Sequence, residues 1–263
     1  MLRPGTLKAC FVFDFYMSRA RGVVFRPFSL FYFGILLFLL LLVFPVLMTF
    51  YRSIMVEALG LPPWMFGGVL FLSLFGSSVN IPLTTLESRE PVRVFREVRF
   101  FGVTWRVPRV EMGVRRTFVM LNVGGCVVPV LISLYLLLVG IPGASFDLFS
   151  SYVDVFLVFL GVVFSTYRSS RLIEGLGIAT PMFGPPLATV LCVLGLSLFR
   201  VVSCPSQVAY VGGTLGALVG ADLLNLGRIR GLGAAVVSIG GAGSFDGIYL
   251  TGLFSVVLVL LLV

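Results

Sequence analysis

Seven predominantly apolar stretches divide this chain, and they constrain its fold more than any other feature. A helix needs about 20 apolar residues to cross the hydrocarbon core of a bilayer. The chain is 59% hydrophobic and 11% charged, whereas soluble domains carry about 25% charged residues. The pattern therefore predicts an all-α integral membrane protein with about seven transmembrane helices. The predicted spans are 29–50, 63–84, 117–139, 152–167, 177–199, 206–226 and 232–263.

The basic residues predict the orientation of these spans. Of the 19 Lys and Arg residues, 17 fall in segments that share one side of the membrane when the N-terminus is inside. Because Lys and Arg accumulate on the cytoplasmic side, the N-terminus is predicted to be cytoplasmic and the C-terminus external, in the plasma membrane. The net charge of +8 is then an orientation signal, and no nucleic-acid partner is predicted.

The domain organisation follows from the spans. Residues 1–28 are predicted as a cytoplasmic N-terminal segment, and residues 29–263 as one polytopic transmembrane domain. Within that domain, residues 87–116 are rich in arginine, and their apolar residues alternate with polar ones around Gly102. Alternation with period two predicts a β-hairpin. The hairpin would be a small cytoplasmic insertion.

Several kinds of chemistry are excluded by composition. The chain has no histidine, which removes Ser-His-Asp catalysis and His-ligated metal sites. Its four cysteines lack the C-x-x-C spacing of thiol zinc sites and redox pairs. We therefore predict neither a metal site nor a cofactor.

Asp222 and Asp246 are the candidate functional residues, since each acid lies among apolar and glycine residues. A carboxylate at the centre of a spanning helix costs roughly 2.5–3.5 kcal/mol, so such residues usually face a cavity or a partner. Structural roles remain open for both. Asp222 is close to the cytoplasmic end of its span, near Arg228, and Asp246 would cap a helix N-terminus.

The last apolar stretch is too long to be a single span. As one helix, residues 232–263 would measure about 48 Å. The run Gly240–Ser244 is predicted to break it into a half-helix or re-entrant piece and a true span from about residue 246. Prolines interrupt the start of the fifth span in the same way. The polar residues predicted to complete a site with the two aspartates are Asn80, Asn122 and Ser244.

Five segments carry a resemblance to a known family. They read GSSVNIPL, FFGVTWRVPRVE, GIATPMFGPPLA, GADLLNL and IGGAGSFDGIYLTG. Over about residues 60–263 the chain resembles archaeal and bacterial multi-pass membrane proteins catalogued as domain of unknown function 1614. The resemblance implies a membrane fold and no particular activity.

A more distant likeness is to intramembrane aspartyl proteases of the presenilin and signal-peptide-peptidase type. Asp222 and Asp246 would match that group's two catalytic aspartates, and Pro186-Leu187-Ala188 is similar to its Pro-Ala-Leu element. The string GAGSFD differs from the GxGD motif of those proteases, and no tyrosine precedes Asp222. This likeness implies proteolysis within the membrane.

Three functions remain open from the sequence. The broken helices favour a small-solute or ion transporter or channel, with a site for a solute or cation near Asp246. The first alternative is an intramembrane aspartyl protease that uses Asp222 and Asp246. The second is a non-catalytic membrane scaffold whose arginine-rich hairpin docks a partner. The lipid bilayer is the partner that all three share, and the sequence fixes neither the solute nor the oligomeric state.

Overall fold

The computed structural model describes residues 28–101, 103–173, 177–229, 236–241 and 246–262. The contacts divide the chain into two units, residues 1–50 and residues 51–263. The second unit holds the candidate site. Of the predicted N-terminal cytoplasmic segment, residues 1–27 lie outside the described part, as does Ser244.

Seven helices are present in the described residues. Several contain π-helical sections, in which backbone hydrogen bonds join residues five positions apart instead of four. Helix α1 is Phe28–Arg52 and continues as π-helical Ser53–Ala58, and α2 is Pro63–Gly76. Helix α3 is Val123–Ala144; its first turn, Val123–Val127, and an interior section, Leu136–Gly140, are π-helical. Helix α4 is Leu148–Ser169, α5 is Gly184–Ser197, α6 is Pro205–Ala217 with a π-helical continuation Leu218–Leu223, and α7 is Gly247–Leu262.

Four of these helical stretches are long and apolar enough to cross a membrane. They are Phe31–Ala58, Val123–Ala144, Leu148–Ser169 and Pro205–Arg228. Helices α2, α5 and α7 are apolar but shorter, at 14, 14 and 16 residues. The protein is therefore a multi-pass membrane protein.

Five strands form two small sheets. In the first, β1 (Asn80–Phe100) pairs antiparallel with β2 (Val103–Asn122), and β5 (Val236–Ile239) pairs parallel with the end of β2. The strand order is β1-β2-β5. In the second, β3 (Arg171–Ile173) pairs antiparallel with β4 (Gly177–Ala179). The predicted helical fold with one β-hairpin is confirmed in part: the structure is mostly helical, and the hairpin belongs to a small mixed sheet that the sequence did not predict.

The hairpin of β1 and β2 is longer than predicted. It spans residues 80–122 rather than 87–116, and it takes in the ends of the second and third predicted spans. Helix α2 therefore stops at Gly76, and α3 starts at Val123. Hydropathy alone misplaces these boundaries, because the apolar residues at the base of the hairpin read as a continuation of the neighbouring helices.

The final stretch of the chain is broken near the predicted place. A true helix begins at Gly247, one residue from the predicted start. The preceding piece is strand β5 followed by a turn at Gly240, not a half-helix. Parallel pairing with β2 satisfies the backbone groups along one edge of this strand.

The core lies among α4, α5, α6 and α7. Fully buried valines from α4, α5 and α6 meet a buried tyrosine of α6 and the valines of α7; these residues are Val158, Val162, Val193, Val208, Val211, Tyr210 and Val256. Tight interior packing of this kind holds neighbouring backbones at fixed distances. The four helices form the frame on which the candidate site is built.

Candidate functional site

Three glycines of α6 bring it against α4. A Cβ atom placed on Gly212 would lie 2.7 Å from Cγ1 of Val158, and one on Gly216 would lie 2.7 Å from Cβ of Val162. One on Gly220 would lie 2.7 Å from the carbonyl oxygen of Val163. The spacing of four residues keeps the glycines on one face, which is the small-xxx-small pattern of close helix packing in membranes. The glycine face therefore fixes the distance of α6 from α4.

Asp222 lies in the π-helical section at the end of α6. The section runs from Leu218 to Leu223, and π-helical turns occur often at functional sites because they redirect side chains. The side chain of Asn225 closes the helix, since its Nδ2 donates to the carbonyl oxygens of Gly220 at 3.2 Å and Ala221 at 2.8 Å. The end of α6 is thus held by its own side chains.

The turn after β5 approaches Asp222 from the other side. Gly240 has a φ of +70°, a conformation that favours glycine. A Cβ atom on Gly240 would lie 2.8 Å from the backbone of Gly125 and of Cys126, so a side chain is excluded on steric grounds as well. Gly240 lines the same cavity as Asp222, and its backbone N–H is close enough to interact with the Asp222 carboxylate.

Asp246 stands at the N-terminus of α7. One of its carboxylate oxygens, Oδ2, accepts a hydrogen bond from the backbone N–H of Ile248 at 3.1 Å. This is the capping arrangement expected for an acid at a helix start, where the helix dipole also favours negative charge. The capping role and a role in a site do not exclude each other, because a carboxylate has a second oxygen.

Both aspartates line one cavity of about 280 Å³, here called the acidic cavity. The two carboxylates are close enough to interact electrostatically. The described residues of its wall include no basic side chain; they are Thr166, Ile178, Ala179, Thr180, Pro185, Ala217, Ala221, Asp222, Ser238, Gly240, Asp246, Gly247 and Ile248. The cavity thus combines residues of α4, α5, α6, α7, β4 and β5.

Thr166 is a polar wall residue of α4 that sequence reasoning missed. It is fully buried, and its hydroxyl has no hydrogen-bond partner among the described residues. The buried threonine Thr189 in α5, by contrast, donates to the carbonyl oxygen of Pro185, four residues earlier, at 2.8 Å. A buried hydroxyl without a partner costs about 1–3 kcal/mol.

Asn80 and Asn122 lie at the base of the hairpin, outside the wall of the acidic cavity. Asn122 Nδ2 donates to Oδ1 of Asn80 at 3.2 Å and to the Ser77 carbonyl at 2.8 Å. Its Oδ1 accepts from the backbone N–H of Gly125 at 2.8 Å, which caps the first turn of α3. Asn80 Oδ1 also accepts from the hydroxyl of Ser238 at 2.7 Å. The two asparagine side chains are therefore connected to the cavity wall through the hydroxyl of Ser238.

No group of three or more His, Cys, Asp or Glu side chains that could hold a metal ion occurs in the described part of the chain. Ser238, Gly240 and Thr166 had not been predicted as site residues. The glycine spacing 212-216-220 is a signal that would have placed α6 against α4, and thereby Thr166 beside the segment of Asp222.

The fold and the cavity define a multi-pass membrane protein with two acids at one internal site. The family model described as protein of unknown function (DUF1614) matches residues 74–258. Because this match covers more than half of the chain, the protein belongs to that family, as the sequence motifs predicted. No curated protein and no solved structure matches the chain, so the likeness to presenilin-type proteases receives no support from the comparisons.

Proposed function

We propose that this protein is an intramembrane aspartyl peptidase in which Asp222 and Asp246 form the catalytic pair. The observation that carries the proposal is that the two carboxylates, from different helices and 24 positions apart in the chain, line the same cavity. Two acids in one cavity without a basic neighbour in its described wall favour a state in which one proton is shared. That state is the one that activates water in aspartyl enzymes.

The reaction needs one acid and one base at the scissile carbonyl. The ionised carboxylate removes a proton from a water molecule as the water oxygen bonds to the carbonyl carbon, and the protonated carboxyl gives its proton to the carbonyl oxygen. In the tetrahedral diol that results, the carboxyl that took the water proton gives it to the amide nitrogen. The C–N bond then breaks as a diol hydroxyl gives its proton to the other carboxylate. The products are a carboxylic acid and an amine, and the pair returns to its starting state.

Backbone N–H groups lie at both aspartates. Asp246 accepts from the Ile248 N–H, and the Gly240 N–H interacts with Asp222. Backbone donors fix the orientation of both carboxylates before a substrate arrives, and such preorganisation is a large part of catalysis. The cavity is also large enough for several water molecules, since one water occupies about 30 Å³ in the liquid.

Strand β5 supports a peptide as the substrate. Its residues Ser238 and Ile239 lead into the cavity wall, and in the described sheet its one strand partner is β2. An edge strand presents backbone N–H and C=O groups with which an extended peptide can pair. A peptide bound along β5 would run toward the two carboxylates.

The test is cleavage of a fluorescence-quenched single-span peptide by the purified protein in lipid vesicles. The wild type is expected to cleave it, and Asp222→Asn and Asp246→Asn are each expected to reduce the rate at least about 1,000-fold, because each removes the acid or the base of the pair. Asp147→Asn is the matched control, since Asp147 is exposed and caps α4 away from the cavity. Retention of cleavage by either cavity variant would overturn the proposal.

A second candidate is cation binding for transport, favoured by the oxygen groups of the same wall. Besides the two carboxylates, the hydroxyl-bearing residues Thr166, Thr180 and Ser238 line the cavity, and hard cations prefer oxygen ligands. Broken helices also supply ion sites in transporters. Flux of Na⁺ or protons into vesicles that is lost in Asp246→Asn, together with no peptide cleavage by the wild type, would favour this function.

A further inference from the structure

Hydrogen bonds link the base of the hairpin to the Gly240 turn, which lies in the same cavity wall as Asp222. They begin at Asn80, the first residue of β1, whose Oδ1 accepts from the Ser238 hydroxyl at 2.7 Å. The carbonyl oxygen of Ser238 accepts from the backbone N–H of Gly241 at 3.1 Å and so closes the turn that contains Gly240. Gly240 is close enough for its N–H to interact with the Asp222 carboxylate.

We propose that Asn80 and Ser238 are positioning residues, which hold the Gly240 turn so that its N–H meets the Asp222 carboxylate. The proposal rests on the proposed function, because it assigns Asn80 and Ser238 a role in positioning one of the two catalytic aspartates, Asp222. Neither residue contacts the aspartates directly; each acts through the turn. The three residues Asn80, Ser238 and Gly240 are called the bracket below.

The geometry gives the bracket little freedom. Four parallel pairs, from Phe118↔Val236 to Leu121↔Ile239, hold β5 on β2. Behind the turn, the backbone of Gly125 and Cys126 is so close that a Cβ atom on Gly240 would lie 2.8 Å away. On the side of β1, the Ser238 hydroxyl anchors the start of the turn to Asn80. If it is lost, the turn can move away from Asp222 while the strand stays paired.

The amide of Asn80 acts through its oxygen. Oδ1 accepts both from Ser238 and from Nδ2 of Asn122. An aspartate at this position keeps an acceptor in the same place, whereas a leucine has similar bulk and no acceptor. Comparison of Asn80→Asp with Asn80→Leu therefore distinguishes the effect of losing the hydrogen-bond acceptor from the effect of changing the side-chain volume.

The first readout is cleavage of the quenched single-span peptide. Asn80→Leu and Ser238→Ala are each expected to lower kcat by about 10- to 100-fold with little change in KM, because small displacements of a catalytic group have effects of this size. Asn80→Asp and Ser238→Thr should retain most of the activity. The double variant Asn80→Leu with Ser238→Ala should be no worse than either single variant, since both remove one interaction. The control is Thr84→Val, an exposed position on the same strand.

The second readout does not depend on catalysis. Dicyclohexylcarbodiimide reacts with protonated carboxyl groups in membranes, and mass spectrometry reports its addition to Asp222. Displacement of the Gly240 turn from the cavity wall should uncover the Asp222 carboxyl, so labelling of Asp222 at pH 7 should be about tenfold faster in Asn80→Leu than in the wild type. Asn80→Asp should label at the wild-type rate.

Peptide cleavage and carbodiimide labelling together distinguish failure of this inference from failure of the peptidase proposal. If the wild type cleaves the peptide and Asn80→Leu cleaves it equally well, with unchanged labelling, the bracket does not position Asp222 and the inference is overturned. If the wild type does not cleave but Asn80→Leu labels faster and Asn80→Asp does not, the bracket positions Asp222 and the peptidase proposal fails. A loss of activity in both Asn80 variants, with unchanged labelling in each, contradicts the positioning role.

Discussion

Asp154, buried in α4, forms an ion pair with Arg200, which lies between α5 and α6. The same guanidinium donates from Nη1 to the hydroxyl of Ser150 at 3.1 Å. A buried carboxylate needs such a partner, because an isolated charge in an apolar interior is strongly unfavourable. The pair joins the connection between two core helices to the first turns of α4.

Removal of the cation from this pair should destabilise the protein. We expect Arg200→Ala to lower the free energy of unfolding by about 3 kcal/mol, because it leaves Asp154 buried and unpaired. Arg168→Ala is the control, since Arg168 is an exposed residue of the same helix as Asp154, and should cost less than about 0.5 kcal/mol. Unfolding in mixed micelles measures both. Equal effects of the two substitutions would show that the pair contributes no stability.

The glycine face of α6 predicts a contrast between two alanine substitutions. Gly216→Ala should lower stability by about 1–3 kcal/mol, because its Cβ would lie 2.7 Å from Cβ of Val162. Gly195→Ala, in α5, meets no atom within 4 Å and should raise stability by up to about 1 kcal/mol through helix propensity. Thermal unfolding in detergent gives the sign of each change. A neutral Gly216→Ala would contradict the close packing of α4 and α6.

Gly240 and Gly60 share a positive φ but differ in their surroundings. Their φ values are +70° and +74°, so alanine at either should cost about 1–2 kcal/mol of backbone strain. At Gly60 the nearest atom to an added Cβ is Gln207 Nε2 at 3.5 Å, whereas at Gly240 backbone atoms lie at 2.8 Å. Gly240→Ala should therefore cost about 2 kcal/mol more than Gly60→Ala. Equal losses in thermal unfolding would mean that the contact with Gly125 and Cys126 is loose.

Thr166 predicts opposite effects on stability and function. Thr166→Val removes a buried hydroxyl that has no partner among the described residues, so the free energy of unfolding should rise by about 1 kcal/mol. If the hydroxyl contacts substrate or water in the acidic cavity, cleavage of the quenched peptide should fall in the same variant and persist in Thr166→Ser. If Thr166→Val changes neither stability nor cleavage, the hydroxyl has no role in the site and Thr166 contributes only to packing.

The predicted orientation can be checked at two exposed phenylalanines. Phe101 at the tip of the hairpin and Phe146 between α3 and α4 are 92% and 95% exposed. With the N-terminus inside, Phe101→Cys should react with a membrane-impermeant maleimide only after the cells are opened, and Phe146→Cys should react in intact cells. The opposite labelling would reverse the topology.

The sequence singles out the two candidate acids, whereas it misplaces part of the secondary structure around them. Asp222 and Asp246 stand out because charge in an apolar segment is costly wherever the helices lie. The base of the hairpin does not stand out, since Ile81 and Leu83 in β1 and Val119 in β2 are as hydrophobic as helix residues. Hydropathy measures transfer from water and carries little information on backbone pairing.

The contacts that complete the candidate site were beyond sequence reasoning for a different reason. Ser238 and Asn80 are 158 positions apart, and no local pattern of either residue indicates the other. The capping of α7 by Asp246 was predicted, because it depends on neighbours two residues away. Interactions between near neighbours follow from local rules, whereas those between distant segments depend on the whole fold.

The parallel pairing of β2 with β5 has a consequence for the order of folding. The β1–β2 hairpin closes around a tight turn, but Phe118 pairs with Val236, more than 100 residues later in the chain. Closing so long a loop is slow, because its entropy must be lost before its contacts form. Strand β5 also leaves the ribosome after six of the seven described helices. The acidic cavity is thus expected to assemble last, when most of the polypeptide is already inserted in the membrane.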